Sequence, residues 1–176
     1  MEKKIRTLGT LFAKSFYVEL DEVGRPSGST GLRLAVRHPS AVSIVPVLPA
    51  GETLLVAQHR YPVDMETLEF PAGKLNPGED PEAAAFRETA EETGHRPGRV
   101  EKLLSYAPSL GYSDEIIHVF AAYDLTPVER PVEEEEISRV ERVSFAEVKA
   151  MALSGRLIDG TTMLSLAVYE WKAKKF

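Results

Sequence analysis

The stretch from Gly73 opens Gly-Lys-Leu-Asn-Pro-Gly-Glu and ends, after seven further residues, in Arg87-Glu88-Thr89-Ala90-Glu91-Glu92-Thr93-Gly94. Asp80 is a good N-cap and Pro81 suits the first helical position, so the spacing predicts a helix that stops at Gly94. On that helix Glu88 lies three residues from Glu91 and four from Glu92. Their Cβ atoms then sit about 5–6 Å apart on one face. Like charges at this spacing cost an isolated helix about 0.2–0.5 kcal/mol per pair. Arg87 alone cannot neutralise its three carboxylate neighbours, whereas a hard divalent cation can. Mg²⁺ takes a few carboxylate oxygens and keeps positions for water and phosphate. That arrangement suits metal-assisted attack of water on phosphorus. Upstream, Glu69-Phe70-Pro71-Ala72-Gly73 brings an extended backbone to the helix. Gly73 permits close approach there, and the Ala72 carbonyl is a further candidate oxygen. The plainer reading of the same glutamates is a solvated acidic helix face, the usual fate of charged side chains.

The elements that must position this stretch can be read around it. Val42–Leu48 and Leu54–Gln58 are apolar strands joined by the turn-like Pro49-Ala50-Gly51, and Pro46 inside the first marks a bulge or an edge. Leu68–Phe70 is short and extended, with Pro71 as its limit. Before them, Ser15–Leu20 reads as a strand followed by the turn formers Gly24, Pro26, Ser27 and Gly28. After the helix come strands at Val100–Tyr106, Ile116–Ala122 and Ile137–Val143. Ser144 with Glu147 forms a capping box for a helix ending near Gly155, and Thr161–Lys174 is amphipathic. Strands, a helix, more strands and two terminal helices predict an α+β fold with a mixed sheet.

The chain has 176 residues, 43% hydrophobic and 27% charged, with net charge −6 and no cysteine. This suits one domain over residues 1–176 with its own core. A disulfide scaffold, a thiol enzyme and a Cys-ligated zinc site are excluded. The acidic balance argues against a nucleic-acid partner, and no apolar run reaches the ~18–20 residues of a membrane span. The charged start, Met1 to Arg6, leads into too short an apolar run for a signal peptide, so a cytoplasmic protein is expected.

The segment resembles the signature of the Nudix hydrolases: Gly73, Glu79, Arg87, Glu88, Glu91, Glu92 and Gly94 occupy its seven fixed positions. At this composition a chance match is on the order of one in 10⁵. Thr89 and His95 depart from bulky apolar residues at softer positions. The resemblance implies an α/β/α sandwich around a mixed β-sheet. It also implies cleavage of a pyrophosphate in substrates with a nucleoside diphosphate linked to another group. Glu88, Glu92 and the Ala72 carbonyl would bind Mg²⁺, or Mn²⁺ as a substitute, with Glu91 assisting. Gly73, Glu79, Arg87 and Gly94 would be structural, with Glu79 and Arg87 bracing the loop–helix–loop.

Three flanks resemble the ADP-ribose pyrophosphatase branch: Arg37-His38-Pro39-Ser40-Ala41-Val42, the pair of runs Gln58–Val63 and Leu68–Lys74, and Ser109–Phe120. Leu110 departs from the proline usual before Gly111. The branch implies hydrolysis of ADP-ribose to AMP and ribose 5-phosphate, with Glu115 as general base and Glu92 or Glu91 as the alternative. It implies an N-terminal antiparallel strand extension, residues 1–39, through which homodimers form. Competing functions are hydrolysis of another nucleoside diphosphate sugar, such as GDP-mannose or UDP-glucose, and non-catalytic binding of ADP-ribose by a regulator.

Arg60 follows a strand, where its guanidinium could grip a phosphate through two hydrogen bonds. Arg33, Arg37 and Lys74 are further substrate-binding candidates, with simple surface exposure as the plainer reading for the two arginines. His118 alternates with Ile116 and Phe120 and reads as a structural histidine. Glu133–Glu136 reads as a solvated acidic lead-in. Phe12, Phe16 and Tyr17 suit core packing or a dimer contact better than stacking on adenine.

Overall fold

The N-terminal residues form an antiparallel meander of β1 (Lys3–Phe12), β2 (Tyr17–Gly24) and β3 (Thr30–Arg37), adjacent in that order. In this computed structural model residues 1–128 and 137–173 are described. The turn between β2 and β3 closes with Arg25 N–H on the Ser29 carbonyl at 2.8 Å, and Gly28 there takes φ +84°. The register of β1 against β2 shifts twice, between Lys4 and Arg6 and between Thr7 and Gly9. Along its whole length β1 is exposed. Phe12 is 82% exposed, and Tyr17 is half-covered beside it, with ring centroids 5.8 Å apart. Core packing within the chain is therefore not their role; the sheet carries them on its surface. Phe16 lies against the His38 ring at 5.7 Å.

Residues 106–117 join this sheet as one compact unit with residues 1–40. Val36 N–H donates to the Tyr112 carbonyl at 2.7 Å and Asp114 N–H donates to the Val36 carbonyl at 3.2 Å.

The second unit takes residues 41–105 and the chain from His118 onward. It contains β4 (Ala41–Pro46), β5 (Glu52–Arg60), β6 (Met65–Glu69), β7 (Ala72–Lys74) and α1 (Pro81–Thr93). Then follow β8 (His95–Arg96), β9 (Arg99–Tyr106), β10 (Ile117–Tyr123), β11 (Thr126–Pro127), β12 (Ile137–Ser144), α2 (Phe145–Leu153) and α3 (Gly160–Ala173). One sheet has the order β7-β4-β10-β9, another β12-β5-β6, and β11 pairs with β8.

Strand β4 is buried at every position, so both of its faces must be covered. Val42 and Ile44 pack with Ala84 and Ala85 of α1 and with Phe120 and Ala122 of β10. The alternate residue, Ser43, meets Ser165 of α3 hydroxyl to hydroxyl at 3.1 Å. Helix α1 thus covers one face and α3 the other, which makes this unit a helix–sheet–helix sandwich. Complete burial of Val42 and Ile44 stabilises the fold by about 1.5–3 kcal/mol each.

Strand β4 stops at Pro46 rather than running through it to Leu48. Proline has no N–H for a ladder, and its carbonyl instead accepts the Thr53 hydroxyl at 2.6 Å. The limits of α1 follow its caps: Asp80 accepts the Glu82 N–H, and Gly94 is left-handed with its N–H on the Ala90 carbonyl. Thr89 is fully buried in place of an apolar residue, its hydroxyl satisfied by the Ala85 carbonyl at 2.6 Å. The Ser144–Glu147 capping box opens α2. Asp159 caps α3, accepting the Thr162 N–H at 2.7 Å. Glu133–Glu136 lies outside the described residues. Among the described residues no helix is long and apolar enough to cross a membrane.

Candidate active site

Strand β7 carries the start of the glycine-to-glycine stretch and pairs antiparallel with β4, Ser43 opposite Ala72 and Val42 opposite Gly73. Ile44 N–H donates to the Pro71 carbonyl at 2.9 Å, so the next pair, Ser43–Ala72, is the one that exchanges no ladder bonds. The backbone groups of Ala72 therefore turn away from β4. Its N–H meets Glu92 Oε2 at 2.9 Å, and in an extended residue the carbonyl points to the same side.

Gly73 is needed for space rather than for an unusual φ. A Cβ built there would collide with the carboxylate of Glu88, which is buried at 8% exposure. Strand and helix thus touch at a glycine and a carboxylate.

Arg87 ties this region together. Its Nε and Nη2 hold the two Glu79 oxygens at 2.8 Å each, and Nη1 reaches Glu88 at 2.7 Å and Glu91 at 2.9 Å. Nη2 also meets the Lys74 carbonyl at 3.2 Å. Glu79 in turn accepts the Asn76 N–H at 2.8 Å. The Arg87 guanidinium holds the Glu79 carboxyl down at about 2. A carboxylate with a folded pKa below its unfolded value adds stability at higher pH and loses it as protons bind to the folded state. The contribution of Glu79 is therefore complete above pH 4.5 and fades as the pH falls to about 2. Melting temperatures of the wild type and Glu79→Gln should converge across that window. A gap independent of pH would contradict the assignment.

Two carboxylates are left short of positive charge. Burial pushes Glu88 up against the opposing pull of Arg87. Removal from water pushes Glu92 up to about 8; the Ala72 N–H lowers it, Glu88 raises it, and Arg60 acts through space. Glu92 has no ion-pair partner among the described residues. Among those residues no three acidic or imidazole groups form a ready metal cage. The donor chemistry nevertheless fits a hard divalent cation. It consists of oxygens alone, and two partly dehydrated carboxylates that repel each other gain most from such an ion.

Beside Glu92, Glu69 of β6 is 4% exposed and clamps Arg60. Arg60 Nε donates to one of its oxygens at 2.8 Å, and Nη2 pairs with the other. The Thr67 hydroxyl at 2.6 Å and the Gln58 amide at 3.3 Å complete the clamp. Arg60 remains half-exposed and oriented. Glu69 was not among the sequence candidates; the signal that would have found it is the β5–β6 hairpin, which aligns Gln58 with Thr67 and Val56 with Glu69.

The remaining candidates belong to the first unit. Arg37 is ion-paired with Glu19 at 2.9 Å and Asp114 at 3.1 Å. His38 accompanies it, donating N–H to Asp114 at 2.9 Å while Nδ1 lies 3.1 Å from Glu115 Oε1. Arg33 pairs with Glu2 and donates to the Leu32 carbonyl on the exposed sheet. In the second unit, His118 is half-buried and hydrogen-bonded to the Ser105 hydroxyl at 2.7 Å. The structure brings Ala72, Gly73, Lys74, Glu79, Arg87, Glu88, Glu91 and Glu92 together around one helix, with Arg60 nearby. Arg37 and Glu115 are gathered on the other unit.

A helix–sheet–helix sandwich whose glycine-led loop presents glutamates from one helix defines the class. The family model described as NUDIX domain matches residues 37–161, and the chain belongs to the Nudix family. Among its relatives, the chain is 33% identical over 173 residues to the ADP-ribose pyrophosphatase of Bacillus subtilis (strain 168), covering 97% of this chain and 94% of that protein. It is also 34% identical over 167 residues to the methanol dehydrogenase activator of Bacillus methanolicus, covering 94% and 90%. In fold it resembles a crystal structure of an ADP compounds hydrolase, with TM-score 0.82 at 22% identity over 98% of this chain and 97% of that one.

Proposed function

We propose that this protein hydrolyses the pyrophosphate bond of ADP-ribose, adding water to release AMP and ribose 5-phosphate. The observation that carries the reading is the meeting of β7 and α1, where the Gly73 backbone leaves room for the Glu88 carboxylate and Ala72 engages Glu92. Glu88, Glu91, Glu92 and the Ala72 carbonyl would hold Mg²⁺, with Mn²⁺ as a substitute. When bound, the ion polarises a phosphoryl oxygen and makes water a better nucleophile at neutral pH. Arg60, oriented by Glu69, offers a paired-donor surface to a phosphate. Arg37, Arg33 and Lys74 are the further substrate contacts, and Glu115 accepts the proton of the attacking water.

The choice of ADP-ribose is supported by the near full-length likeness to the Bacillus subtilis enzyme. A second reading, GDP-mannose, is favoured by the GDP-mannose pyrophosphatase of Yersinia enterocolitica, 37% identical over 127 residues and covering 67% of this chain. Product analysis over ADP-ribose, GDP-mannose and UDP-glucose separates these. AMP release from ADP-ribose is expected to show the highest kcat/KM of the three. A higher kcat/KM on GDP-mannose would replace the reading, and no hydrolysis of any with tight ADP-ribose binding would indicate a regulator.

The N-terminal sheet supports a homodimer. Ile5, Leu8, Leu11 and Phe12 of β1 and Leu32 and Leu34 of β3, the two outer strands of the sheet, are between 45% and 82% exposed, apolar surface of the kind that marks a protein partner. Sedimentation at twice the chain mass is expected, with a shift to the monomer on Leu11→Lys/Phe12→Lys. Single-chain sedimentation of the wild type at micromolar concentration would contradict it. A cytoplasmic location suits a sequence without cysteine, and cell fractionation checks it.

A further inference from the structure

Strands β6 and β7 lie in different sheets, and the chain crosses between them in two residues, Phe70 and Pro71. Proline brings no N–H, so the crossing has a single amide donor. That donor, Phe70 N–H, is buried and meets Thr162 Oγ1 of α3 at 2.9 Å. Thr162 is 1% exposed. Its hydroxyl proton goes to Asp159 Oδ2 at 2.7 Å, the same oxygen that accepts the Thr162 N–H. With its proton committed to a carboxylate, the hydroxyl has only lone pairs to offer Phe70, so the direction of this tether is set. Asp159 also adds its charge to the surroundings of Arg60. The cap of α3 thus acts at both ends of the segment Glu69–Phe70: on the arginine that Glu69 clamps, and on the amide two residues before Ala72. None of these groups lies between Gly73 and Gly94, and Thr162 is one residue past the span matched by the family model.

We propose that Asp159 and Thr162 are positioning residues for the cation-binding edge: they anchor the β6–β7 crossing and thereby set Ala72 against Glu92 and Gly73 against Glu88. This rests on the functional reading above. A tether that only held the fold together would, when cut, lower the melting temperature and leave the folded site unchanged. A positioning tether changes the affinity of the site itself, as outer-sphere partners of metal ligands do by 10–100-fold.

The test is Mn²⁺ binding to the folded protein, followed by electron paramagnetic resonance well below the melting temperature, alongside the Mg²⁺ dependence of hydrolysis. Thr162→Val removes the hydroxyl at nearly constant shape. It is expected to weaken Mn²⁺ binding about tenfold, with a matching rise in the Mg²⁺ needed for half-maximal rate. At saturating metal, the KM for substrate should move less than threefold. Thr162→Ser restores the hydroxyl and should bind Mn²⁺ within twofold of the wild type. Asp159→Asn, milder for the fold, should weaken binding about threefold and answers the question if Thr162→Val does not fold. Wild-type affinity in folded Thr162→Val or, if that variant does not fold, in Asp159→Asn would overturn the positioning role, as would a Thr162→Ser as weak as Thr162→Val. A wild type that binds no Mn²⁺ would overturn the functional reading itself.

Discussion

Gly73→Ala is expected to reduce hydrolysis at least a hundredfold while the protein still folds. The added methyl would collide with the Glu88 carboxylate. Glu88 has little freedom to withdraw, because it is buried on α1 beside Ala84 and Ala85, and its carboxylate is held by Arg87 at 2.7 Å. Either the carboxylate turns away or β7 shifts from the helix, and the latter draws Ala72 off Glu92. The φ of Gly73 is not in the left-handed region, so backbone strain adds nothing. The stability cost is that of local overpacking, about 1–3 kcal/mol. Enough fold should remain for circular dichroism to match the wild type, while Mg²⁺ dependence shifts to higher concentration. A Gly73→Ala protein with activity within a few-fold of the wild type would show that this contact does not shape the site.

The second large effect is a contrast between two carboxylates. Glu92→Gln keeps an oxygen to accept the Ala72 N–H now bonded at 2.9 Å, so the fold should survive. It removes charge where a cation would sit, and a loss of about 10³-fold in rate is expected, equivalent to about 4 kcal/mol. Metal binding should weaken with it. Glu115→Gln should also slow turnover, by about 10²–10⁴-fold, the range of a general base. Its metal affinity should stay within about threefold of the wild type. Isothermal titration with Mn²⁺ beside rate measurements distinguishes them. Equal losses of metal affinity in both variants would remove Glu115 from the role of base, and unchanged turnover in either would remove that residue from the chemistry.

How much of this could be read from the residues alone follows from where the information lies. Local capping is written in consecutive residues. Asp80-Pro81 and Gly94 bound α1, and Ser144 with Glu147 opens α2. The glutamate spacing is local too, and it needs only the helix to become a shared face. Strand β1 escaped because all of it is exposed, so no burial alternation marks it, and Gly9 interrupts its interior. For the aromatics of that sheet the residues left core packing and a dimer contact both open, because periodicity does not say which chain will cover a face; the exposure of Phe12 at 82% removes core packing within the chain for that residue. The clamp of Glu69 on Arg60 and the tether of Thr162 on Phe70 join residues nine and ninety-two positions apart. Such pairs arise only when hairpin register and helix docking are known. Gly73 is intermediate: its freedom to approach could be read, and the group it approaches, Glu88, came only from the fold.

The most direct measurement is AMP release from ADP-ribose by protein stripped with a chelator and dialysed free of it, followed as Mg²⁺ is added back. The glutamates around Glu88 and Glu92 predict negligible release without metal and a saturable return of full rate with it. Full-rate hydrolysis by the stripped protein would contradict the central claim.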